Sequence, residues 1–304
     1  MIRRIFVATL FIAGAISSNA QPSLPSGFQS RTIHSPANAE IFVRYGGHGP
    51  VVVLLHGYAQ NSDSWAPLAE DLMKDHTVVV PDLRGIGRSS KPAGGYDKKT
   101  QAQDIRAVVT TLGYDRTFVV AHDIGNMVAY AYASTYPDKV ERLVVMDAPI
   151  PGIEPWSEIL QNPGVWHFNF HGPDAERLVA GRERIYFDRI WNDFTGDPSK
   201  PDEATRDFFA ATYAQPGGMR AGFTHVGGGV QKLRDQIEIV GEDLDTIKTG
   251  FHRVPRCFRE VRHRNSNLLL RQRPRCYRGL PSRWCERQLT WINIRCGDGL
   301  RAVQ

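Results

Sequence analysis

The chain has 304 residues, of which 41% are hydrophobic and 23% charged, values that are ordinary for a globular protein with one large domain or with an inserted lobe. The formal net charge of +5 is unevenly spread, because residues 251–304 hold thirteen Arg, no Lys and three acidic residues, which leaves a net charge of −5 for residues 1–250. No groove-reading motif and no interleaved aromatic residues accompany the basic segment, so the composition argues against binding of nucleic acid.

The first twenty residues have the layout of a secretory signal peptide. Two arginines precede an apolar run over residues 5–16, and Ser18 and Ala20 are the small residues that a signal peptidase reads. The run is short for a membrane-spanning helix. We therefore expect a signal peptide over residues 1–20, a secreted or periplasmic mature protein, and no membrane contact after cleavage. The alternative is a retained anchor helix.

Residues 27–150 alternate strand-like and helix-like patterns. The strand-like segments are short runs rich in Val and Leu, namely IFVRY, VVVLLHG, TVVVPDL, TFVVAHD and RLVVMDA. Four of the five lack the polar alternation of a one-sided sheet, which favours burial on both faces. Helical spacing lies between them, notably over residues 99–112 and 124–136. This pattern predicts an α/β fold with a mostly parallel sheet flanked by helices and with its chemistry at the carboxyl ends of the strands.

Residues 151–223 have a different character. Strand-like runs are absent, aromatic residues become frequent, and helical spacing dominates, most clearly as one helix over residues 178–194. We interpret this segment as a helical lid inserted over the sheet, with most of its aromatic side chains forming the lid's own core.

Residues 224–304 show neither helical nor strand periodicity. All four cysteines lie here, at positions 257, 276, 285 and 296, with a spacing that fits no zinc site and fixes no disulfide pairing. The abrupt change in composition leads to the hypothesis that the reading frame shifts near residue 224, which would leave the sheet without its last strands. Resequencing the source DNA tests it, because an uninterrupted frame through Gln304 would defeat the idea.

The stretch VVAHDIGNMVAY, residues 119–130, predicts a buried strand, a sharp turn and a helix. Ala121 and Gly125 lie two residues on either side of Asp123, as the strained backbone of a nucleophile elbow requires. A carboxylate is already a nucleophile at neutral pH, and its product with an alkyl carbon is an ester that water can cleave. Asp123 therefore favours displacement at saturated carbon, in an epoxide or an alkyl halide. The alternative is a simple helix N-cap.

Cleavage of such an ester forms an oxyanion, which two backbone N–H groups must stabilise. Ile124 directly follows the nucleophile and Tyr58 lies in the turn after the second strand-like run, so these two residues are the predicted donors. His56 is expected to make structural hydrogen bonds. His122 is expected to point away from Asp123, because side chains alternate along a strand.

Asp147 ends the next strand-like run, in MDAPIP. A carboxylate there can orient and charge-balance a catalytic imidazole, and the alternative is an acidic residue that merely starts a turn before Pro149. The imidazole itself is not evident in the sequence. No histidine follows His263, and His252 and His263 lie in sequence without a strand or helix pattern.

Residues 27–223 resemble the α/β-hydrolase-fold epoxide hydrolases, and most closely the secreted Cif-type branch. The strings that carry the resemblance are HGYAQ, PDLRGIGRSSKP, AHDIGN, MDAPIPG, VWHFNF, LVAGRERIYF and YAQP. The resemblance implies that His167, in VWHFNF, donates to the epoxide oxygen from the lid. It also implies a second donor, a tyrosine, near residues 225–226, and a water-activating histidine near the end of the chain. This chain has His225-Val226 at the first place and no histidine at the second.

Together these features predict a hydrolase that acts on ether bonds. An epoxide hydrolase would convert a small-molecule epoxide to a vicinal diol through an ester on Asp123, and we expect it to stall at the ester for lack of a histidine base. The alternatives are a haloalkane-type dehalogenase, which would place Trp where Ile124 stands, and a non-catalytic protein of the same fold. No metal or organic cofactor is expected. The sequence does not indicate the oligomeric state.

Overall fold

The computed structural model describes residues 22–151, 156–197 and 199–227, together with a two-residue strand at 294–295. The predicted signal peptide, the four cysteines, His252 and His263 lie outside these residues, as does most of the chain after residue 227. The described strands form one seven-stranded sheet. They are β1 (Gln29–Ser35), β2 (Ala39–Gly47), β3 (Val51–Leu55), β4 (Thr77–Pro81), β5 (Thr117–His122), β6 (Val140–Met146) and β7 (Ile294–Arg295).

The strands follow the order β1-β2-β4-β3-β5-β6-β7. The four central strands, β4, β3, β5 and β6, pair in parallel, and β1, β2 and β7 add antiparallel pairings at the two sides. Every residue of β3 and β4 is buried, as expected for Val-rich strands covered on both faces. The predicted α/β fold with a mixed, mostly parallel sheet is thus confirmed.

Strand β1 was not predicted, and its burial pattern explains why. It lies at the side of the sheet, antiparallel to β2, and five of its seven residues are exposed. Ile33 and Ser35 are its buried residues. A strand that buries so few apolar side chains carries little hydrophobic periodicity for a sequence pattern to detect.

The helices of the core are α1 (Ala66–Leu72), α2 (Lys98–Thr111) and α3 (Ile124–Thr135). The two longer helices begin and end within one residue of the predicted spans. The side chain of Asp97 caps α2 by accepting a hydrogen bond from the backbone N–H of Thr100 at 2.8 Å. Helix α3 packs against α2, β5 and β6, so its first turn lies at the carboxyl end of the parallel strands.

The lid contains α4 (Trp156–Leu160), a 3-10 helix (Pro163–Phe168), α5 (Pro173–Val179), α6 (Glu183–Phe194), α7 (Glu203–Tyr213) and α8 (Gly218–Val226). The prediction of one helix over residues 178–194 is wrong, because α5 ends at Val179 and α6 begins at Glu183. Between them Gly181 has a φ of +74°, a left-handed conformation that glycine adopts without steric cost and that interrupts the helix. In the described part of the chain, no helix has the length and apolarity needed to cross a membrane.

Candidate active site

The turn between β5 and α3 has the strained backbone of an elbow. Asp123 has φ +52° and ψ −121°, a conformation that residues with a side chain rarely adopt. Gly125 lies so close to the end of β3 that a Cβ there would be 2.5 Å from the carbonyl oxygen of Leu55. The missing side chain therefore lets α3 start directly beside the sheet, and the carboxylate of Asp123 is held above the sheet edge.

The carboxylate of Asp123 does not cap the helix. Asp123 occupies the N-cap position of α3, but its side chain makes no capping hydrogen bond. Its Oδ2 instead accepts a hydrogen bond from the backbone N–H of Tyr58 at 2.7 Å. The fold thus brings Tyr58, a predicted backbone donor, to the predicted nucleophile, while Ile124 is the buried first residue of α3.

His56 makes structural hydrogen bonds, as predicted from its position. It is fully buried, its Nδ1 donates to the carbonyl oxygen of Gly57 at 2.9 Å, and its Nε2 accepts from the backbone N–H of Leu83 at 3.0 Å. Burial lowers the pKa of His56 even though Asp82 lies nearby. The neutral ring therefore joins the loop after β3 to the loop after β4.

Asp147 follows β6, and its closest imidazole in the described chain belongs to His122, the last residue of β5. The Oδ2 of Asp147 lies 3.8 Å from the Nε2 of His122. Burial acts to lower the pKa of His122, but Asp147 and the charge of Asp123 outweigh it, so the pKa is raised. The prediction that His122 points away from Asp123 did not anticipate that its ring lies beside Asp147. The register that pairs His122 with Met146 brings the ring beside Asp147, and a sequence pattern does not reveal that register.

Asn126, in the first turn of α3, fixes the loop that carries Asp147. Its side-chain amide donates to the carbonyl oxygen of Met146 at 2.8 Å, and its Oδ1 accepts from the N–H of Met146 at 3.1 Å. The backbone N–H of Asp123 donates to the same carbonyl oxygen at 3.1 Å. The backbone of Met146 therefore fixes both residues, because it binds the N–H of Asp123 directly and directly precedes Asp147 in the chain.

His167 lies in the 3-10 helix of the lid and is 8% exposed. Its ring stacks on that of Tyr58, with centroids 6.4 Å apart and an interplanar angle of 12°. Its Nδ1 is buried and has no hydrogen-bond partner among the described residues. Burial lowers the pKa of His167 despite the charge of Asp123, so the ring is neutral at pH 7 and carries one N–H. The fold thus places His167, the predicted lid donor, against Tyr58, the residue whose backbone N–H binds Asp123.

Two tyrosine hydroxyls meet at the lid, and one of them belongs to Tyr58, whose ring stacks on His167. The hydroxyl oxygens of Tyr58 and Tyr186 are 3.2 Å apart, and both side chains are buried. The ring of Tyr186, in α6, packs edge-on against Trp166 with centroids 5.6 Å apart. The sequence interpretation assigned Tyr186 to lid packing and missed this pair, although both tyrosines lie in strings that carry the family resemblance.

His225 occupies the place where the resemblance implies a second lid donor, but its hydrogen bonds are used elsewhere. Its Nε2 donates to the carbonyl oxygen of Arg84 at 2.7 Å, and its Nδ1 lies 3.5 Å from the Nζ of Lys98. Burial, with the charge of Lys98, lowers the pKa of His225 well below its usual value. His225 therefore joins α8 to the core instead of serving as a donor to a ligand.

Among the described residues, no group of three or more His, Cys, Asp or Glu side chains is arranged to hold a metal ion.

Comparison with known proteins gives a family match and several relatives. Residues 50–217 match the model of the alpha/beta hydrolase fold family. A soluble epoxide hydrolase from Corynebacterium sp. is 34% identical over 209 residues, which cover 66% of this chain and 72% of the relative. A fluoroacetate dehalogenase from Burkholderia sp. is 37% identical over 172 residues, which cover 53% of this chain and 56% of the relative.

A solved structure of an aCif variant has the same fold. It superposes with a TM-score of 0.66 at 21% identity, over 72% of this chain and 70% of that one. The resemblance inferred from the motifs is thus confirmed at the level of the fold and of the family. With an elbow carboxylate, a helical lid and a matching family model over residues 50–217, the chain belongs to the α/β-hydrolase-fold family and has a soluble epoxide hydrolase among its relatives.

Proposed function

We propose that this protein is an epoxide hydrolase that opens a small epoxide through an alkyl ester on Asp123. The single observation that carries the proposal is the state of the Asp123 carboxylate, which sits on a strained elbow, caps no helix and is bound by the N–H of Tyr58. Such a carboxylate can attack carbon without a base to deprotonate it. The epoxide hydrolase among the relatives supports the same reaction class.

In the first half-reaction the carboxylate forms a bond to one carbon of the epoxide ring, and the carbon–oxygen bond breaks. The electron pair of that bond ends on the epoxide oxygen, which needs a hydrogen-bond and proton donor because an alkoxide is a poor leaving group. The neutral imidazole of His167, stacked above Tyr58, donates its one N–H as a hydrogen bond to that oxygen from the lid. The alkoxide then takes a proton from water, and the negative charge leaves as hydroxide.

In the second half-reaction water attacks the ester carbonyl, and the oxyanion is held by the backbone N–H groups of Tyr58 and Ile124. This step needs a base to take a proton from water. The histidine closest to Asp147 in the described chain is His122, the residue directly before Asp123, and the sequence has no histidine after His263 to serve as the base. We therefore expect the ester to be hydrolysed slowly and the alkyl-enzyme to accumulate.

The test is intact-mass spectrometry after incubation with a small epoxide. The expected result is an adduct equal to the mass of the epoxide on the parent protein and no adduct on Asp123→Ser. Rapid, steady diol formation without an adduct contradicts the stall. Entry of labelled solvent oxygen into the diol in a single step, with position 123 never modified, contradicts the ester mechanism altogether.

Dehalogenation is the second candidate, and the fluoroacetate dehalogenase among the relatives is the observation that favours it. The same carboxylate could displace a halide. Haloalkane dehalogenases place a tryptophan after the nucleophile to bind the halide, and this chain has Ile124 there. Release of free halide from bromoalkanes and from fluoroacetate, measured beside diol formation from an epoxide, separates the two functions.

A further inference from the structure

Helix α8 of the lid packs directly against a residue that binds the proposed nucleophile. A Cβ on Gly222, in the middle of α8, would lie 3.1 Å from Cε2 of Tyr58 and 3.1 Å from Cε1 of Tyr213, so the helix backbone packs on both rings. The backbone N–H of Tyr58 in turn binds the Oδ2 of Asp123 at 2.7 Å. The position of α8 therefore bears on the nucleophile through one intervening residue.

The end of α8 is attached to the core by His225, which lies about one turn after Gly222 and is 1% exposed. Its Nε2 is 2.7 Å from the carbonyl oxygen of Arg84, and its Nδ1 is 3.5 Å from the Nζ of Lys98, the first residue of α2. The same Nζ lies 3.4 Å from the carbonyl oxygen of His225. We call these three residues the His225 cluster. They join α8 to α2 and to the loop after β4.

The geometry of the His225 cluster requires a neutral imidazole. Because Nε2 faces a carbonyl oxygen, it carries the ring's proton, and because Nδ1 faces the amine of Lys98, it is the acceptor. Burial lowers the pKa of Lys98 to about 8, which leaves an ammonium at pH 7. A second proton on the ring would remove the acceptor and place an N–H against that ammonium. Protonation of His225 therefore breaks the contact with Lys98.

The other groups around His225 do not compensate for an added charge. The ring of Tyr96 packs edge-on against it, with centroids 5.2 Å apart. Burial is the largest cause that lowers the pKa of His225 well below its ordinary value, and the charge of Lys98 is the next. His56 and the guanidinium of Arg84 act in the same direction. The contact between α8 and the core is thus stable while the ring is neutral and is lost as the pH falls.

We propose that His225 is a positioning residue for the reaction, whose neutral ring keeps α8 against Tyr58 and whose protonation releases the helix. The inference rests on the proposed function. When α8 is released, the ring of Tyr58 loses a packing partner, and its N–H holds the carboxylate of Asp123 less firmly for attack. Formation of the alkyl-enzyme should therefore slow as the pH falls, without any change in the covalent steps.

The first experiment measures the rate of alkyl-enzyme formation by intact mass in the full chain, between about pH 7.5 and 5. His225→Gln keeps a donor and an acceptor but does not titrate, so it should react within about twofold of the parent at pH 7.5 and lose less rate on acidification. His225→Leu removes both hydrogen bonds and should react about 10-fold more slowly at pH 7.5. His34→Gln, at an exposed histidine of β1, is the matched control and should follow the parent at every pH.

Lys98→Met separates an electrostatic role of the His225 cluster from a merely structural one. Removal of the ammonium takes away one cause of the lowered pKa of His225, so the acid loss of rate should begin at higher pH, closer to about 6.5. An unmoved midpoint overturns the proposal. So does a full acid loss of rate in His225→Gln, or a rate of His225→Leu equal to the parent's at pH 7.5. If His225→Leu does not fold, the other two variants still decide.

Hydrogen exchange of the backbone amides of α8 gives a readout that needs no epoxide. The parent and His225→Gln are compared at the same pH, so the intrinsic pH dependence of exchange cancels. Exchange should be equal at about pH 7.5 and faster in the parent at about pH 5. Equal exchange at both values overturns the release of α8. Absence of any adduct on the parent overturns the proposed function, whereas hydrogen exchange then still decides whether protonation releases the helix.

Discussion

The sheet edge and the lid hold their functional groups in different ways. At the sheet edge, backbone geometry fixes the proposed nucleophile, through the positive φ of Asp123, the N–H of Tyr58 and the close approach of Gly125 to β3. In the lid, side-chain packing holds the proposed donor, because His167 is positioned by aromatic rings and its Nδ1 has no partner in the described chain. The comparison indicates that substitutions at the edge should alter folding and chemistry together, whereas substitutions in the lid can alter chemistry alone.

The largest expected effect is on the rate of alkyl-enzyme formation, and it comes from a substitution in the lid. His167→Phe should keep the aromatic packing with Tyr58 and Phe194 but remove the N–H, so alkyl-enzyme formation should slow by about 100-fold. The thermal unfolding midpoint should remain close to that of the parent. Intact-mass kinetics and circular dichroism measure the two quantities.

The matched control for this variant is His171→Phe, at an exposed histidine of the same lid. It should leave the rate of adduct formation unchanged. If His167→Phe lowers the unfolding midpoint as much as a core substitution does, substitutions in the lid also alter folding, which contradicts the proposed difference between the lid and the sheet edge.

The next largest effect is expected on the free energy of unfolding, from a substitution at the sheet edge. Gly125→Ala would place a Cβ 2.5 Å from the carbonyl oxygen of Leu55 and 2.8 Å from that of His56. Neither backbone oxygen can move without displacing β3, so the free energy of unfolding should fall by about 2–3 kcal/mol. Adduct formation should fall with it, because the elbow must shift. Urea titration followed by circular dichroism measures the loss.

Gly94→Ala is the control for that variant, since a Cβ at Gly94 meets no atom within 4 Å. Its free energy of unfolding should stay within about 0.5 kcal/mol of the parent's. Equal stabilities for the two alanine variants would show that the elbow tolerates a side chain, and that backbone geometry does not hold the nucleophile as described.

The smallest expected effect is a pH dependence of stability. Burial lowers the pKa of His56, His167 and His225 in the folded chain, while the unfolded chain keeps a value of about 6.5. Below that pH the unfolded state binds more protons, so the free energy of unfolding should decrease as the pH falls. His122, with a raised pKa, acts in the opposite direction. Urea titrations between about pH 7.5 and 5.5 should give the decrease, and the slope should be shallower in His225→Asn. If the slope of His225→Asn equals that of the parent, His225 does not contribute to the pH dependence of stability.

Much of the sheet and of the nucleophile side of the site could be predicted from sequence. The Val-rich runs define the central strands because burial on both faces leaves a continuous apolar signal, and the small residues around Asp123 define the elbow. The pairing of His122 with Asp147 could not be predicted, because it depends on the register between β5 and β6.

The lid was less predictable for a related reason. The break between α5 and α6 depends on one glycine within a continuous helical pattern. The contact between the hydroxyls of Tyr186 and Tyr58 joins residues that lie 128 positions apart in the chain. Contacts between residues so far apart in sequence leave no periodic trace.

The side chain of Asn126 makes two hydrogen bonds with the backbone of Met146, one donated and one accepted, and so fixes the start of the loop that carries Asp147. These hydrogen bonds hold main chain and not the side chain of Asp147, whose φ of +57° is a conformation that asparagine also adopts readily. Asparagine at position 147 should therefore leave the loop in place and remove only the charge that faces His122. Under the proposed mechanism, that exchange would alter the ester-cleaving step while the alkylating step keeps its geometry.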